Sequence, residues 1–278
     1  MRRNPNRVAQ RAGLYATLIL LTAVFTGPFL WLVGVSFKSE GAMVAFPVKW
    51  LPDRWDWSNF QQALTMIPYA GYARNSLTIA VISTVLTTIS SAFVGFGFAR
   101  LRGRGRNLLF RVLLATMMLP WVITLVPTYI IFARLHLVDT YIPWVLWGVS
   151  GSAFLIFMFR QFFVGLPTEL EEAAIIDGCG YFRVFWRIFL PQAKPMIATS
   201  AILSFTHSWG DYVAPMLLLS QDKTTLAVAL STGYLDPASN PLPTVVAAGA
   251  ILYILPVIVL FLVVQRAYVQ GHATSGIK

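Results

Sequence analysis

The chain has 278 residues, of which 57% are hydrophobic and 12% are charged, and its mean hydropathy is +0.68. Because soluble domains carry about 25% charged residues, this composition excludes a soluble protein and predicts one that resides in a bilayer. The net charge of +10 does not indicate a nucleic-acid partner, since no basic patch interleaved with aromatic residues stands outside the apolar segments.

Six apolar segments follow one another along the chain, and each is long enough to cross about 30 Å of hydrocarbon as a helix. The first exceeds the apolar region of a signal peptide, about 7 to 15 residues, so it is predicted to be retained. The sequence therefore predicts an all-α membrane protein in a single domain, residues 1–278. The six predicted transmembrane helices are 13–35, 77–99, 108–132, 142–163, 196–219 and 245–264.

Lysine and arginine are unevenly distributed between the two sides that these spans define. Fifteen of the 21 fall on the side of the N terminus, and six fall on the other side. Cytoplasmic loops carry the excess of positive charge in membrane proteins. Both termini, and the loop between the fourth and fifth spans, are therefore predicted to be cytoplasmic.

A long polar interval, 167–195, separates the fourth and fifth spans. Thr168 and Glu171 have the spacing of a capping box, which predicts a helix from about Glu169 to Asp177. Residues 178–180, Gly-Cys-Gly, permit a sharp turn after it, because glycine adopts positive φ without steric cost.

A second helix is predicted after this turn, ending at Pro191 and Pro195 before the fifth span. Arg183 and Arg187 lie one turn apart on one side of it. The opposite, apolar side carries Tyr181, Phe182, Phe185, Ile188 and Phe189. The interval thus predicts a helix-turn-helix at a membrane surface. From the residues alone, a solvated amphipathic loop that merely joins two spans remains an equal alternative.

The string EAAIIDG, residues 172–178, is followed after nine residues by Ile188-x-Leu190-Pro191. This pattern resembles the EAA signature of ABC-importer permease subunits, with Cys179 in a position where such permeases usually have alanine. The resemblance implies that the interval is a cytoplasmic coupling element seated on a separate ATPase. The residues implied in that contact are Glu172, Ala173, Ala174, Asp177, Gly178, Ile188, Leu190 and Pro191.

The resemblance covers nearly the whole chain and is greatest to the carbohydrate class, in particular to the smaller, six-span maltose-type subunit. It implies a complex in the cytoplasmic membrane of a prokaryote. The expected partners are a second, different permease subunit, two ATPase subunits that bind ATP and Mg, an extracytoplasmic solute-binding protein and membrane lipid.

The chain itself carries no recognisable catalytic or metal motif. A Walker A loop is absent, and His136, His207 and His272 lack metal-ligand spacing. The single cysteine excludes an internal disulfide and a Cys-x-x-Cys site. We therefore predict no enzyme activity, no cofactor and no metal in this chain.

Four residues near the end of the fifth span are candidates for a translocation pathway: His207, Trp209, Asp211 and Tyr212. His207 and Asp211 are predicted to share one helix face, and ionisable groups at membrane depth usually face the bundle interior or a water-filled path. Aromatic rings and an acid suit the apolar faces and hydroxyl groups of sugars. The alternative is that Asp211 is hydrated near the outer end and His207 hydrogen-bonds within the bundle.

The predicted function is that of a permease subunit which forms half of the pathway for a sugar or sugar-like solute. The fifth span resembles that of sugar-importer permeases, with Gly210-Asp211-Tyr212 in place of Asn-Glu-Phe. A non-sugar solute and an ion-coupled secondary transporter remain the alternatives. The second of these usually shows paired broken helices in two repeats, and no internal repeat is visible here.

Overall fold

The structure is a computed structural model that describes residues 5–43, 46–47 and 49–275, with side-chain surroundings for all of these except 5–9, 12 and 266–275. Arg2, Arg3 and Lys278, which contribute to the predicted orientation, lie outside the described residues.

Helices make up nearly all of the regular structure in the described ranges, where the one extended pairing is an isolated bridge between Leu235 and Pro241. This confirms the predicted all-α class. The α-helices are α1 (Pro5–Ser36), α2 (Glu40–Met43), α3 (Ser58–Thr65), α4 (Tyr69–Arg100), α5 (Arg106–Thr116), α6 (Trp121–Arg134), α7 (Ile142–Ser150), α8 (Ala153–Val164), α9 (Glu169–Ile176), α10 (Tyr181–Val184), α11 (Leu190–Gln192), α12 (Lys194–Trp209), α13 (Val213–Leu218), α14 (Leu226–Thr232) and α15 (Pro243–Ser275), with a π-helical turn at Phe185–Phe189 and a 3-10 turn at Gln221–Lys223.

Several of these helices have the length and apolar character of membrane spans. Within the described residues, four qualify, namely Gly13–Ser36, Tyr69–Arg100, Ile142–Val164 and Pro243–Gln265, and up to five if α5 and α6 count as one span. α5 and α6 are bent by 98° at the short break that contains Pro120. The predicted fifth span is divided into α12, with 16 residues, and α13. The number and limits of the six spans stay a prediction.

Contacts divide the chain into two compact units, residues 1–69 with 229–254 and residues 70–228 with 255–278. Buried polar contacts hold the segment that follows α1 in the first unit. The Asn59 amide donates hydrogen bonds to the carbonyls of Ser36 and Lys38 at 3.0 and 2.8 Å. The backbone N–H of Thr244 donates to the Glu40 carboxylate at 3.2 Å. These bonds satisfy groups that would be costly to bury alone.

In the second unit, hydrogen bonds and an ion pair join the connection between α6 and α7 to the turn after α13. Ser220 donates its N–H to the Asp139 carboxylate at 2.9 Å, and Lys223 Nζ lies 3.0 Å from the other carboxylate oxygen. The hydrogen bonds from Ser220, followed by that from Lys223, lower the pKa of Asp139 from 3.8 to about 2. The carboxylate therefore remains charged throughout the physiological pH range.

Candidate functional site

The helix-turn-helix segment, residues 167–195, begins as predicted with a helix, but the predicted capping box is absent. The Thr168 side chain makes no cap hydrogen bond, because Thr168 already has helical dihedral angles, with φ of −72°. Its carbonyl instead accepts the N–H groups of Glu171 and Glu172 at 3.0 and 3.1 Å. The negative charges of Glu169, Glu171 and Glu172 in the first turn stabilise the N-terminus of α9, because they face the positive end of the helix dipole.

The turn after α9 is a Schellman motif centred on Gly178. Gly178 has φ of +80°, its N–H donates to Ile175 O at 3.0 Å, and the Cys179 N–H donates to Ala174 O at 2.9 Å. A Cβ built on Gly178 meets no atom within 4 Å. The requirement for glycine therefore comes from the backbone conformation and not from a close neighbour inside the chain.

The second helix does not end at Pro191 and Pro195 as predicted. It passes from α10 through the π-helical turn and α11 almost directly into α12, with one residue, Ala193, at the break. Pro191 has no N–H to donate to the carbonyl four residues earlier, and a wider turn at this point accommodates the missing bond. The segment is therefore joined to α12 through this single residue.

The buried face of the second helix differs from the predicted apolar side. Val184, Phe185 and Phe189 are fully buried, whereas Phe182 is 67% exposed and Tyr181 is also exposed. Helical spacing in the sequence predicts the same burial for all five apolar residues. The difference arises because α4 and α8 cover only one side of the helix, and an aromatic residue beyond that contact stays outside.

The EAA residues of α9 are divided between the interior and the surface. Ala174 is 6% exposed and packs into this chain's own core, so it does not offer the predicted outer surface together with Ala173. Residues that stay exposed are Glu172, Ala173, Ile175, Ile176, Asp177 and Gly178. Ile188 and Leu190 are half-buried against the core, and Pro191 is exposed. A continuous exposed patch with two carboxylates and the large apolar Ile176 therefore remains on α9.

Arg100, the last residue of α4, ties the helix-turn-helix segment to the end of α8. Its guanidinium donates hydrogen bonds to the carbonyls of Phe163, at 2.6 Å, and Leu166. It lies 3.7 Å from the Glu171 carboxylate, where the two side chains are 6% and 14% exposed. It also stacks on Phe189 at 4.8 Å from the ring centre. The buried Arg100 guanidinium thus connects α4 with the end of α8, with α9 and with the second helix.

One hydrophobic core joins the helix-turn-helix segment to three long helices of the second unit. Its buried members come from α4 (Ala92, Phe96), α8 (Phe159, Phe163), α9 (Ala174), the second helix (Val184, Phe185, Phe189), Ala193 and α12 (Met196). A Cβ on Gly95 would lie 2.8 Å from Phe159 Cβ, so α4 and α8 approach closely only because this residue is glycine. Such dense packing transmits displacement between elements.

Helices α4, α8 and α12, together with α6 and α7, also line a cavity of about 500 Å³. Its walls carry the aromatic side chains Trp121, Trp144 and Trp147 and several hydroxyl groups. Three polar atoms on this wall, Ser83 Oγ, Trp144 Nε1 and Ser204 Oγ, are buried without a hydrogen-bond partner in the described part of the chain. Buried donors of this kind are satisfied by water or by a polar ligand.

The predicted pathway residues are only partly brought together. His207 and Asp211 both line the cavity, although not on one helix face, because α12 ends at Trp209 and Asp211 lies in the break before α13. There Asp211 Oδ1 accepts the N–H of Ala214 at 3.2 Å. Trp209 is buried and stacks on Phe205 at 5.7 Å. Trp209 and Tyr212 are not among the residues that line the cavity.

Sequence reasoning missed Arg100 and the polar atoms of the cavity wall. In the sequence, Arg100 stands near three other arginines on the predicted cytoplasmic side, and this position gives no sign of burial. Ser83 and Ser204 are ordinary serines in apolar segments. A polar residue inside a span is a signal that could have identified them, but the pattern alone does not show which face they occupy.

Comparison with known proteins gives consistent results over nearly the full length. A profile of the family described as "Binding-protein-dependent transport system inner membrane component" matches residues 91–271. The arabinooligosaccharides transport system permease protein of Halalkalibacterium halodurans is 33% identical, covering 94% of this chain and 93% of that protein. The maltodextrin transport system permease protein of Bacillus subtilis is 30% identical, covering 98% of each.

A solved structure shares the fold. It is that of a bacterial ABC transporter involved in the import of the acidic polysaccharide alginate, and one of its chains superposes with a TM-score of 0.79 at 23% identity, covering 96% of this chain and 98% of that one. The predicted resemblance to ABC-importer permeases is therefore confirmed, and this chain belongs to the family of inner membrane components of binding-protein-dependent transport systems.

Proposed function

We propose that the chain is one permease subunit of an ATP-driven importer of oligosaccharides, in which the helix-turn-helix segment couples the transport pathway to a separate ATPase. The observation that carries this proposal is that α4, α8 and α12 each contribute both to the core around the segment and to the wall of the cavity. A displacement of the segment therefore moves the cavity wall.

The exposed patch on α9 is the surface that we assign to the ATPase. Glu172 and Asp177 offer charges to basic residues, and Ala173 and Ile176 offer a small and a large apolar contact. When two ATPase subunits close on ATP, each pulls the segment seated on it. The short junction with α12 and the Arg100 contacts then turn this pull into a rigid-body rotation of the spans.

The cavity suits a sugar. Tryptophan faces pack on the apolar C–H surfaces of a pyranose or furanose ring, and the unpartnered hydroxyl and indole groups match its hydroxyls. The oligosaccharide systems of the similar permeases support the same solute class. Half of the pathway is supplied by this chain, and the other half comes from a second permease subunit.

In this assembly the chain lies in the cytoplasmic membrane of a prokaryote with six spans and both termini in the cytoplasm. The helix-turn-helix segment, between the fourth and fifth spans, faces the cytoplasm, in line with the excess of positive charge on that side. An extracytoplasmic binding protein delivers the solute. The chain has no catalytic residue of its own, and ATP and Mg are held by the ATPase partners.

The test is transport in proteoliposomes that contain this chain with its permease, ATPase and binding-protein partners. We expect labelled oligosaccharide to accumulate only with ATP on the ATPase side, and to stimulate ATP hydrolysis. Accumulation that persists after ion gradients are collapsed excludes an ion-coupled transporter. Uptake that stops on gradient collapse while ATP remains would contradict the proposal.

Replacing Glu172 with lysine is expected to reduce uptake at least tenfold while the protein still inserts, because a reversed charge repels the basic partner at the proposed contact. Uptake and membrane abundance should be measured together. Glu169→Lys is the matched control, since Glu169 is also exposed in the first turn of α9 but lies outside the EAA pattern. Equal effects of the two substitutions would assign the loss to the helix dipole and contradict the contact.

Replacing Asp211 with asparagine is expected to raise the half-saturation concentration for uptake about tenfold, because a hydrogen bond to a charged group exceeds a neutral one by about 1.5 kcal/mol. Asparagine keeps an oxygen that can accept the Ala214 N–H, so the start of α13 is preserved. Asp222→Asn, a neutralisation outside the cavity, should leave uptake unchanged. Unchanged kinetics in Asp211→Asn would exclude this carboxylate from the pathway.

A further inference from the structure

A second cleft, distinct from the transport cavity, lies where α4 ends and α5 begins. It has a volume of about 420 Å³ and is formed between these helix ends and the second helix of the helix-turn-helix segment. Its inner wall is apolar and includes Phe93, Phe98, Leu109 and Phe182. Phe93, Leu109 and Phe182 are exposed even though the chain has a large apolar core. Exposed apolar surface of this kind marks a contact with lipid or with a partner.

The rim of this cleft is strongly cationic. Arg102, Arg104 and Arg106 line it, and a neighbouring polar cavity of about 540 Å³ shares Arg102 and Arg106 and adds Arg111. None of these four arginines pairs with a carboxylate within the described residues. Arg106 donates to Leu101 O at 2.9 Å and Arg111 donates to Asn107 O at 3.3 Å, so their charges are positioned but not neutralised.

The location of the cleft decides what kind of anion suits it. α4 is a candidate membrane span that ends at Arg100, and α5 begins a candidate broken span at Arg106. The arginines of the connecting loop therefore lie at the boundary between hydrocarbon and water, with the apolar wall on the hydrocarbon side. A phospholipid matches this arrangement, because its acidic headgroup lies against the arginines and its acyl chain lies against the apolar wall. Other basic pockets beside transmembrane helices bind lipids in this way.

We propose that this cleft is a binding site for one anionic glycerophospholipid, such as phosphatidylglycerol. Its phosphate lies against Arg102, Arg104 and Arg106, and an acyl chain lies along Phe93, Leu109 and Phe182. A protein partner with an acidic surface would satisfy the arginines but would not account for an apolar wall that faces the bilayer. The proposal does not depend on the transported solute or on the coupling role of the segment.

The test is native mass spectrometry of the full-length chain titrated with phosphatidylglycerol or phosphatidylcholine. We expect one retained phosphatidylglycerol and no retained phosphatidylcholine. The double variant Arg102→Gln/Arg104→Gln should weaken phosphatidylglycerol binding about 30-fold, since each basic residue near an anionic lipid contributes a factor of about five. The charge-matched control is Arg74→Gln/Arg134→Gln, whose residues lie outside the cleft, and it should bind like the original chain.

Two further arms distinguish the lipid from other anions. Soluble glycerol phosphate should not displace the bound lipid, and Leu109→Asn should weaken lipid binding because it removes apolar wall. The proposal is overturned if phosphatidylcholine is retained equally, if glycerol phosphate displaces the lipid, or if the arginine double variant binds as before. A double variant that keeps the lipid but no longer assembles with its partner subunits would assign the arginines to a protein interface instead.

Discussion

Replacing Gly178 with aspartate is expected to abolish uptake while leaving the amount of protein in the membrane almost unchanged. The structure separates these two effects, because a Cβ at this exposed position meets no atom within 4 Å. Its cost to folding is then mainly that of holding a non-glycine residue at φ of +80°, about 1 kcal/mol. On the outside, however, a new carboxylate enters the surface that we assign to the ATPase. Uptake, abundance and oligosaccharide-stimulated ATP hydrolysis should be measured in parallel.

Asparagine at the same position is the matched control. It adopts positive φ as readily as aspartate and has nearly the same shape, but it carries no charge. Gly178→Asn should therefore retain most of the uptake and the same abundance. Full transport by Gly178→Asp would remove the coupling role from this turn, whereas a loss of both variants from the membrane would contradict the small folding cost.

The second large effect is expected when Arg100 is replaced with lysine. Lysine keeps the charge, so the number of cations that orient the chain does not change. It cannot form the planar fork that reaches the carbonyls of Phe163 and Leu166 while facing Glu171. Losing these two carbonyl hydrogen bonds from a charged donor costs about 3 kcal/mol or more. Local opening of α9 should then become at least about 100-fold more frequent, and uptake should fall with it.

Hydrogen exchange of the amides of α9 is the measurement that reports this opening directly. Arg104→Lys is the control, because Arg104 has no ion pair within the described residues and lies only four positions away. A double-mutant cycle of Arg100→Lys with Glu171→Gln should show that the two effects are not additive. If Arg100→Lys exchanged and transported like the original chain, Arg100 would serve only to orient the membrane protein.

Local patterns in the sequence were sufficient for the helical class and for the two-helix character of residues 167–195. Apolar runs and glycine at a turn are properties of neighbouring residues, so they can be interpreted without knowing the rest of the fold. Three finer details of this segment were predicted wrongly. Thr168 does not cap α9, Pro191 does not end the second helix, and Phe182 does not share the buried face of Phe185.

The sequence by itself determined that this chain is a helical membrane protein with an EAA segment, because composition, charge distribution and a spaced motif are all linear features. Only the tertiary structure decided that Arg100 is buried against Glu171, that Ala174 faces inward, and that His207 and Asp211 meet at one cavity. Each of these facts depends on contacts between residues far apart in the chain. Such contacts are selected by packing and by the cost of burying an unpaired charge, which no single segment reveals.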